Sequence, residues 1–396
     1  MSRKSLKLYY VTNRNHEGGQ RNNPKGYGPD PSKDGIENLR LGKVTLDVGQ
    51  ELLDKRFKKE TGSGPGDGVE LSQDLAKLAK KNARIAAFPE NNPHKQGTKG
   101  KQGKTKLGSQ ALRDDVQKAM REKRDVLLYV HGFNVSWWDA VGSAFALQEM
   151  LNRPELSPEG KNDLLVILFT WPSDGSAIPL VSYGSDRTDA IGSGFALGRA
   201  FIKLRDFLAE ATRTAIEKGK EEGIRQQLCS QNFNLLCHSM GNYVLQNAIQ
   251  RLIERTEGSR LPRIFDHVFM CSPDVDDDVL EVGQPLGRVH EVCRNVNVYF
   301  NRGDLALRGS DYTKGNPDRL GTNGVARPSQ LHQKIFQIDC SGDLVQGVLE
   351  HSYYLKGRIN SDLRMSLDNV PQDDGRPYDE IPSREPGSFP NTFIMK

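Results

Sequence analysis

The sequence predicts an α/β protein whose mostly parallel sheet is covered by helices on both faces, and three observations predict it. From Asp125 onward, short runs rich in Val, Leu, Ile and Phe recur at 126–130, 164–170, 233–237, 265–271, 296–300 and 334–338. Near-continuous apolar strands mark a parallel sheet buried on both sides, because an exposed face would demand alternation with polar residues. The segments between these runs carry helical spacing: after 233–237 the positions Val244, Leu245, Ala248, Ile249, Leu252 and Ile253 recur on one helical face. The length of 396 residues suits one large α/β domain with extensions.

Taken in order, residues 6–12 and 43–48 read as strands, and the Gly-, Asn- and Pro-rich stretch at 13–32 reads as loop. At 91–106 apolar residues nearly vanish, while Lys95, Lys99, Lys101, Lys104 and Lys106 stand among Gly, Gln and Thr. A flexible surface loop is expected there, and no nucleic-acid contact, since no aromatic residue is interleaved for base stacking. In the segment holding Gly192, Gly194 and Gly198, small residues are expected to let a helix approach the sheet closely. Beyond Arg364 come Pro371, Pro377, Pro382, Pro386 and Pro390 among many charges, the composition of a partly ordered tail. The expected organisation is an N-terminal extension at 1–124, a catalytic core at 125–365 and a Pro-rich tail at 366–396.

Composition excludes several classes. Lys and Arg number 55 against 51 Asp and Glu, a formal charge of +4, which gives no global pull toward nucleic acid or anionic lipid. A mean hydropathy of −0.62 and apolar runs far short of the roughly 20 residues of a membrane helix argue against integral membrane association. The first residues contain no apolar stretch of about 7 to 15 positions, so a cytoplasmic location is expected. The five cysteines are scattered without a Cys-x-x-Cys pair, which suits reduced core thiols and neither a disulfide framework nor a thiolate zinc site.

The sharpest chemical feature is Cys237-His238-Ser239-Met240-Gly241, where a buried strand gives way to an amphipathic helix. A tight strand-to-helix turn with small neighbours would lift the Ser239 hydroxyl above the sheet, with helix N–H groups facing developing negative charge. About a hundred residues earlier, Val130-His131-Gly132-Phe133-Asn134 follows the first strand of the repeating region. The N–H groups of Phe133 and Met240 would together form an oxyanion hole, with His131 holding the loop by hydrogen bonds. A serine needs a base. Of eight histidines, His16 and His94 precede the sheet, His131 and His238 belong to the two turns, and His267, His290 and His332 sit in or beside strands. His351 alone follows the last strand, where the order Ser, acid, His would put the base. The acid is Asp304, after strand 296–300, or alternatively Asp274 or Asp276 in the run after 265–271. That run also reads as a carboxylate-rich helix start, so no metal is expected.

The set His131-Gly132-Phe133-Asn134, Thr170-Trp171-Pro172-Ser173, His238-Ser239-Met240-Gly241, Ser272-Pro273-Asp274-Val275-Asp276 and Asn301-Arg302-Gly303-Asp304 resembles one bacterial, esterase/lipase-like branch of the α/β-hydrolase superfamily. Tyr10-Val11-Thr12-Asn13-Arg14 resembles that branch's opening strand. The resemblance implies a mostly parallel eight-stranded sheet, with Ser239 as nucleophile, His351 as base and Asp304 as acid. It implies a hydrolase acting on a small ester or acyl substrate without a cofactor. Cys237 stands where many hydrolases have Gly. A binding protein that kept the fold and uses the lysine loop or the tail for a partner is the alternative. Acyl specificity and oligomeric state are not legible.

Overall fold

The computed structural model describes residues 2–89, 108–122, 125–157, 163–173, 179–221, 232–307, 318–344, 350–374, 376–378 and 381–396. The basic stretch at 91–106, with His94, and Cys229 lie outside them. Eleven described strands join one sheet, where eight were expected: β1 (Arg3–Thr12), β2 (Arg40–Gly49), β3 (Arg84–Ala87), β4 (Asp125–Val130), β5 (Leu164–Thr170), β6 (Phe233–His238), β7 (Phe265–Cys271), β8 (Cys293–Phe300), β9 (Ile335–Asp339), β10 (Arg384–Pro386) and β11 (Thr392–Met395). Their spatial order is β10-β11-β9-β8-β7-β6-β4-β5-β1-β2-β3. The run from β11 to β1 is parallel throughout, while β2, β3 and β10 close the edges antiparallel. The strands absent from the sequence reading, β3, β10 and β11, have at most four residues each, too few to establish a period.

A second correction concerns 13–32. Arg14–Gln20 and Asn23–Pro31 form an antiparallel hairpin, with Gly18 and Gly19 both at positive φ beside the turn. Glycine and proline signalled a loop, whereas backbone pairing and the burial of Tyr27, whose hydroxyl lies 2.9 Å from that of Tyr10, decided for strands.

Alternation along each strand divides the interior into two cores. Val126, Leu128 and Val130 face one side with Leu165, Ile167 and Phe169. Leu127 and Tyr129 face the other with Leu164, Val166 and Leu168. The first side is covered by α3 (Gly108–Arg121), α5 (Pro179–Glu221) and α6 (Gly241–Arg255), the second by α1 (Gln50–Phe57), α2 (Gly68–Asn82), α4 (Trp137–Leu151) and α7 (Gly357–Leu367). Helix α6 buries Val244, Leu245, Ala248, Ile249 and Leu252, the stripe its sequence predicts. The glycines of α5 meet neighbours other than the sheet: a Cβ on Gly192 would stand 2.4 Å from Ile36 Cδ1. A Cβ on Gly194 would stand 2.3 Å from Asn247 Cβ, so the close approach is to α6 and not to the sheet. Among the described residues, no helix is long and apolar enough to cross a membrane.

The chain passes from β4 to β5 on one side and then to β6 on the other. Strand order reverses there, at the carboxyl ends of β4 and β6, the place where α/β sheets bind ligands.

Candidate active site

Ser239 stands at that end of the sheet, on the turn between β6 and α6, with φ 52°. A non-glycine residue in left-handed backbone is costly and persists where surrounding contacts impose it. Here Ser239 N–H donates to Cys271 O at 3.0 Å and Ser239 O accepts from Asp274 N–H at 3.2 Å, so the next strand's turn clamps the serine on both sides. Two glycines make the turn possible. A Cβ on Gly241 would fall 2.6 Å from His131 O, and one on Gly132 would fall 2.7 Å from Ser239 Cβ. The ends of β4 and β6 thus touch backbone to backbone. Among the described residues, neither the Phe133 nor the Met240 N–H has a protein acceptor, which leaves both donors available beside the serine.

The loop after β4 is pinned from below. His131 is buried, stacked on Trp171 with ring centroids 5.4 Å apart and planes 9° apart. Its Nε2 faces the Trp171 N–H at 3.3 Å and Thr170 Oγ1 at 3.0 Å, and its Nδ1 lies 2.8 Å from Gly132 O. Accepting at Nε2 and donating at Nδ1 requires the neutral ring. Burial first, and the nearby Arg14 charge second, lower its pKa to about 3. Arg14, 1% exposed, donates to Thr170 Oγ1, Gly28 O, Ser173 O and Val135 O at 2.9, 3.1, 3.3 and 2.6 Å. Asp186 completes the cradle by accepting from Ser173 Oγ at 2.6 Å and from Asn134 N–H at 3.4 Å.

His351 stands just before the turn Tyr353–Leu355. Its Nδ1 lies 2.7 Å from Asp304 Oδ2, and Asp304 is fully buried. The other carboxylate oxygen, Oδ1, accepts the N–H groups of Ala306 and Leu307 at 3.1 and 3.3 Å. Those bonds fix the carboxylate plane, and with it the imidazole. The rival acids are engaged elsewhere. Asp274 accepts from Tyr183 Oη at 2.9 Å and lies 3.4 Å from Arg319 Nε, and Asp276 pairs with Arg319 Nη1 at 2.6 Å. Neither of these two pairs with His351. Burial, and then the Asp274 charge, hold the Tyr183 phenol above its usual range, and its ring meets Phe133 edge-on at 5.6 Å.

Ser239 and His351 both bind the turn that ends β7, the first through Cys271 O and the second through Ser272, whose Oγ donates to His351 O at 2.8 Å. Among the described residues, no hydrogen bond joins Ser239 Oγ to the imidazole. Arg14, Thr170 and Asp186 were not assigned roles by sequence reasoning. The arginine that ends the apolar run at Val11 was the available signal, since a buried cation must have partners.

No curated protein matches this chain. Among solved structures the chain is similar to lipase B of Aspergillus fumigatus, at 9% identity and a TM-score of 0.21, over 45% of this chain and 37% of that one. The chain therefore spans little more than a third of that protein's length. Residues 108–358, more than half of the chain, match the family described as alpha/beta hydrolase of unknown function (DUF900), and the chain belongs to that family.

Proposed function

We propose that this protein is a serine hydrolase that cleaves a carboxylic ester through an acyl-enzyme. The observation that carries the reading is the buried Asp304 carboxylate 2.7 Å from His351 Nδ1, on the same sheet edge as a serine held at positive φ. An acid so placed keeps the imidazole in the tautomer whose Nε2 is bare, and stabilises the imidazolium once it forms. In the first half-reaction Ser239 Oγ bonds to the ester carbonyl carbon and its proton passes to His351 Nε2. The carbonyl oxygen gathers charge facing the Phe133 and Met240 N–H groups. The carbon–oxygen bond to the alcohol then breaks, and His351 gives its proton to the departing alkoxide. Water repeats the sequence on the acyl-enzyme: its proton goes to His351, its oxygen to the acyl carbon, and the proton returns to Ser239 as the acid leaves. The chemistry draws only on side chains and backbone of this chain.

The test is labelling of the purified protein with a fluorophosphonate, with the adduct located by mass spectrometry, followed by turnover of a panel of esters. The reading expects the adduct on Ser239, none in Ser239→Ala, and none in His351→Ala. Equal labelling of wild type and Ser239→Ala would overturn it.

A further inference from the structure

The base stands on chain without regular structure: residues 350–352 precede a single turn, Tyr353–Leu355. A group that must be placed to a fraction of an ångström from such a segment needs its peptide units held by neighbours. His351 O accepts two side-chain donors, Ser272 Oγ at 2.8 Å and His238 Nε2 at 3.1 Å. The preceding carbonyl, Glu350 O, accepts from Asn301 Nδ2 at 3.3 Å. The three donors stand at the carboxyl ends of β6, β7 and β8, neighbours in the sheet. Each shares its turn with another part of the site: His238 precedes Ser239, Ser272 follows the Cys271 carbonyl that holds the Ser239 N–H, and Asn301 O accepts the Asp304 N–H at 3.0 Å.

We infer that His238, Ser272 and Asn301 form a positioning set that locks the His351 backbone in register with the serine and the acid, with His238 acting as a neutral donor. This rests on the serine-hydrolase reading and deepens it. The His238 ring is wedged between those of His351 and Tyr354, at centroid separations of 4.7 and 4.8 Å. A neutral imidazole carries one N–H, and the 3.1 Å contact to a carbonyl requires it on Nε2. Burial, then the neighbouring His351, keep this ring uncharged. That matters to the reaction, because an imidazolium at His238 would oppose the one that forms at His351, whereas a neutral donor holds the loop without opposing it. His238 thereby gains a function of its own beside the neighbouring serine.

The experiment compares wild type with His238→Ala, His238→Gln and Ser272→Ala in the full-length chain. It reads the fluorophosphonate labelling rate, the kcat and KM for an ester that wild type turns over, and the melting temperature. Glutamine Nε2 can replace the imidazole donor, and alanine cannot. The expected result is a labelling rate and kcat lowered about 10- to 100-fold in His238→Ala by misplacement of the base. KM should stay within about twofold, the mark of a lost transition-state contact, and His238→Gln should recover most of the rate. Ser272→Ala should lower kcat in the same pattern, and carries the test if His238→Ala fails to fold. Wild-type rates in folded His238→Ala and Ser272→Ala overturn the positioning set, as does a His238→Gln that is folded but as slow as alanine. Labelling that persists in Ser239→Ala overturns the hydrolase reading itself, so the two failures are distinguishable.

Discussion

At the scale of the residue, the site depends on contacts too close to admit an extra atom and on one buried carboxylate that faces the base. Gly132→Ala would drive a methyl to 2.7 Å from Ser239 Cβ and 3.2 Å from His238 O. Overpacking of this kind costs about 1–3 kcal/mol of stability. Displacement of the nucleophile should cost more in rate, about 100-fold in kcat for a shift approaching 1 Å. Parallel urea melts and ester kinetics separate the two effects, and a variant that loses stability without losing rate contradicts the placement of the loop against the serine. Asp304→Asn keeps the shape but offers His351 Nδ1 an amide that can leave it in the wrong tautomer. The expected loss is about 10⁴-fold in kcat, measured against Asp274→Asn, which should change kcat little because Asp274 is bound to Tyr183 and Arg319. A normal rate in Asp304→Asn would remove it from the role of acid.

At the scale of the element, the loop after β4 is only as firm as its support from the N-terminal hairpin. Arg14 joins the hairpin through Gly28 O, β5 through Thr170 Oγ1 and the loop through Val135 O. Replacing it with methionine keeps the volume and strands several buried acceptors, each costing about 1–3 kcal/mol. Arg14→Met should therefore lose at least about 3 kcal/mol in a urea titration, and wild-type stability would contradict the hydrogen bonding described. The six inner strands and the stripe of α6 were legible in the sequence because continuous apolar runs and a 3.6-residue period are properties of neighbouring residues. The hairpin at 14–31 was not, since its glycines and prolines imitate a loop and its stability comes from pairing and from Tyr27 packed on Trp137, with centroids 4.7 Å apart. The same division runs through the site. Ser239, Asp304 and His351 could be nominated because each follows a recognisable strand. The service of Asp186, Ser272 and His238 could not, because a hydrogen bond to a backbone group dozens of residues away leaves no local pattern.

At the scale of the whole molecule, buried histidines contribute to the response to acid. His131 is depressed to about 3 by burial, then by Arg14. His267 is depressed to about 4, again chiefly by burial. His238 lies well below its ordinary value through burial, then through His351. His131 and His267 are neutral in the folded chain at pH 5, whereas an unfolded chain binds a proton at each below about 6.5. The sign follows from that difference. The unfolded state binds more protons, so stability is fully present above pH 6.5 and is lost as pH falls toward the folded values. Each such proton contributes a slope of about 1.4 kcal/mol per pH unit, so these two give about 3 kcal/mol per unit near pH 5. A domain stable by roughly 5–15 kcal/mol therefore loses a large share of its stability before its carboxylates titrate. His267 provides the control. Among the described residues its buried Nδ1 has no hydrogen-bond partner, its Nε2 makes a 3.4 Å contact to Asn369 Oδ1, and its ring stacks on Phe269 at 5.8 Å. A phenyl ring should keep that packing and remove the titration. In urea melts between pH 7 and 5, His267→Phe should reduce the slope of unfolding free energy against pH by about one proton's worth, 1.4 kcal/mol per unit. A slope unchanged by the substitution would mean that His267 takes up its proton in the folded state and that its burial is not what the acid response measures.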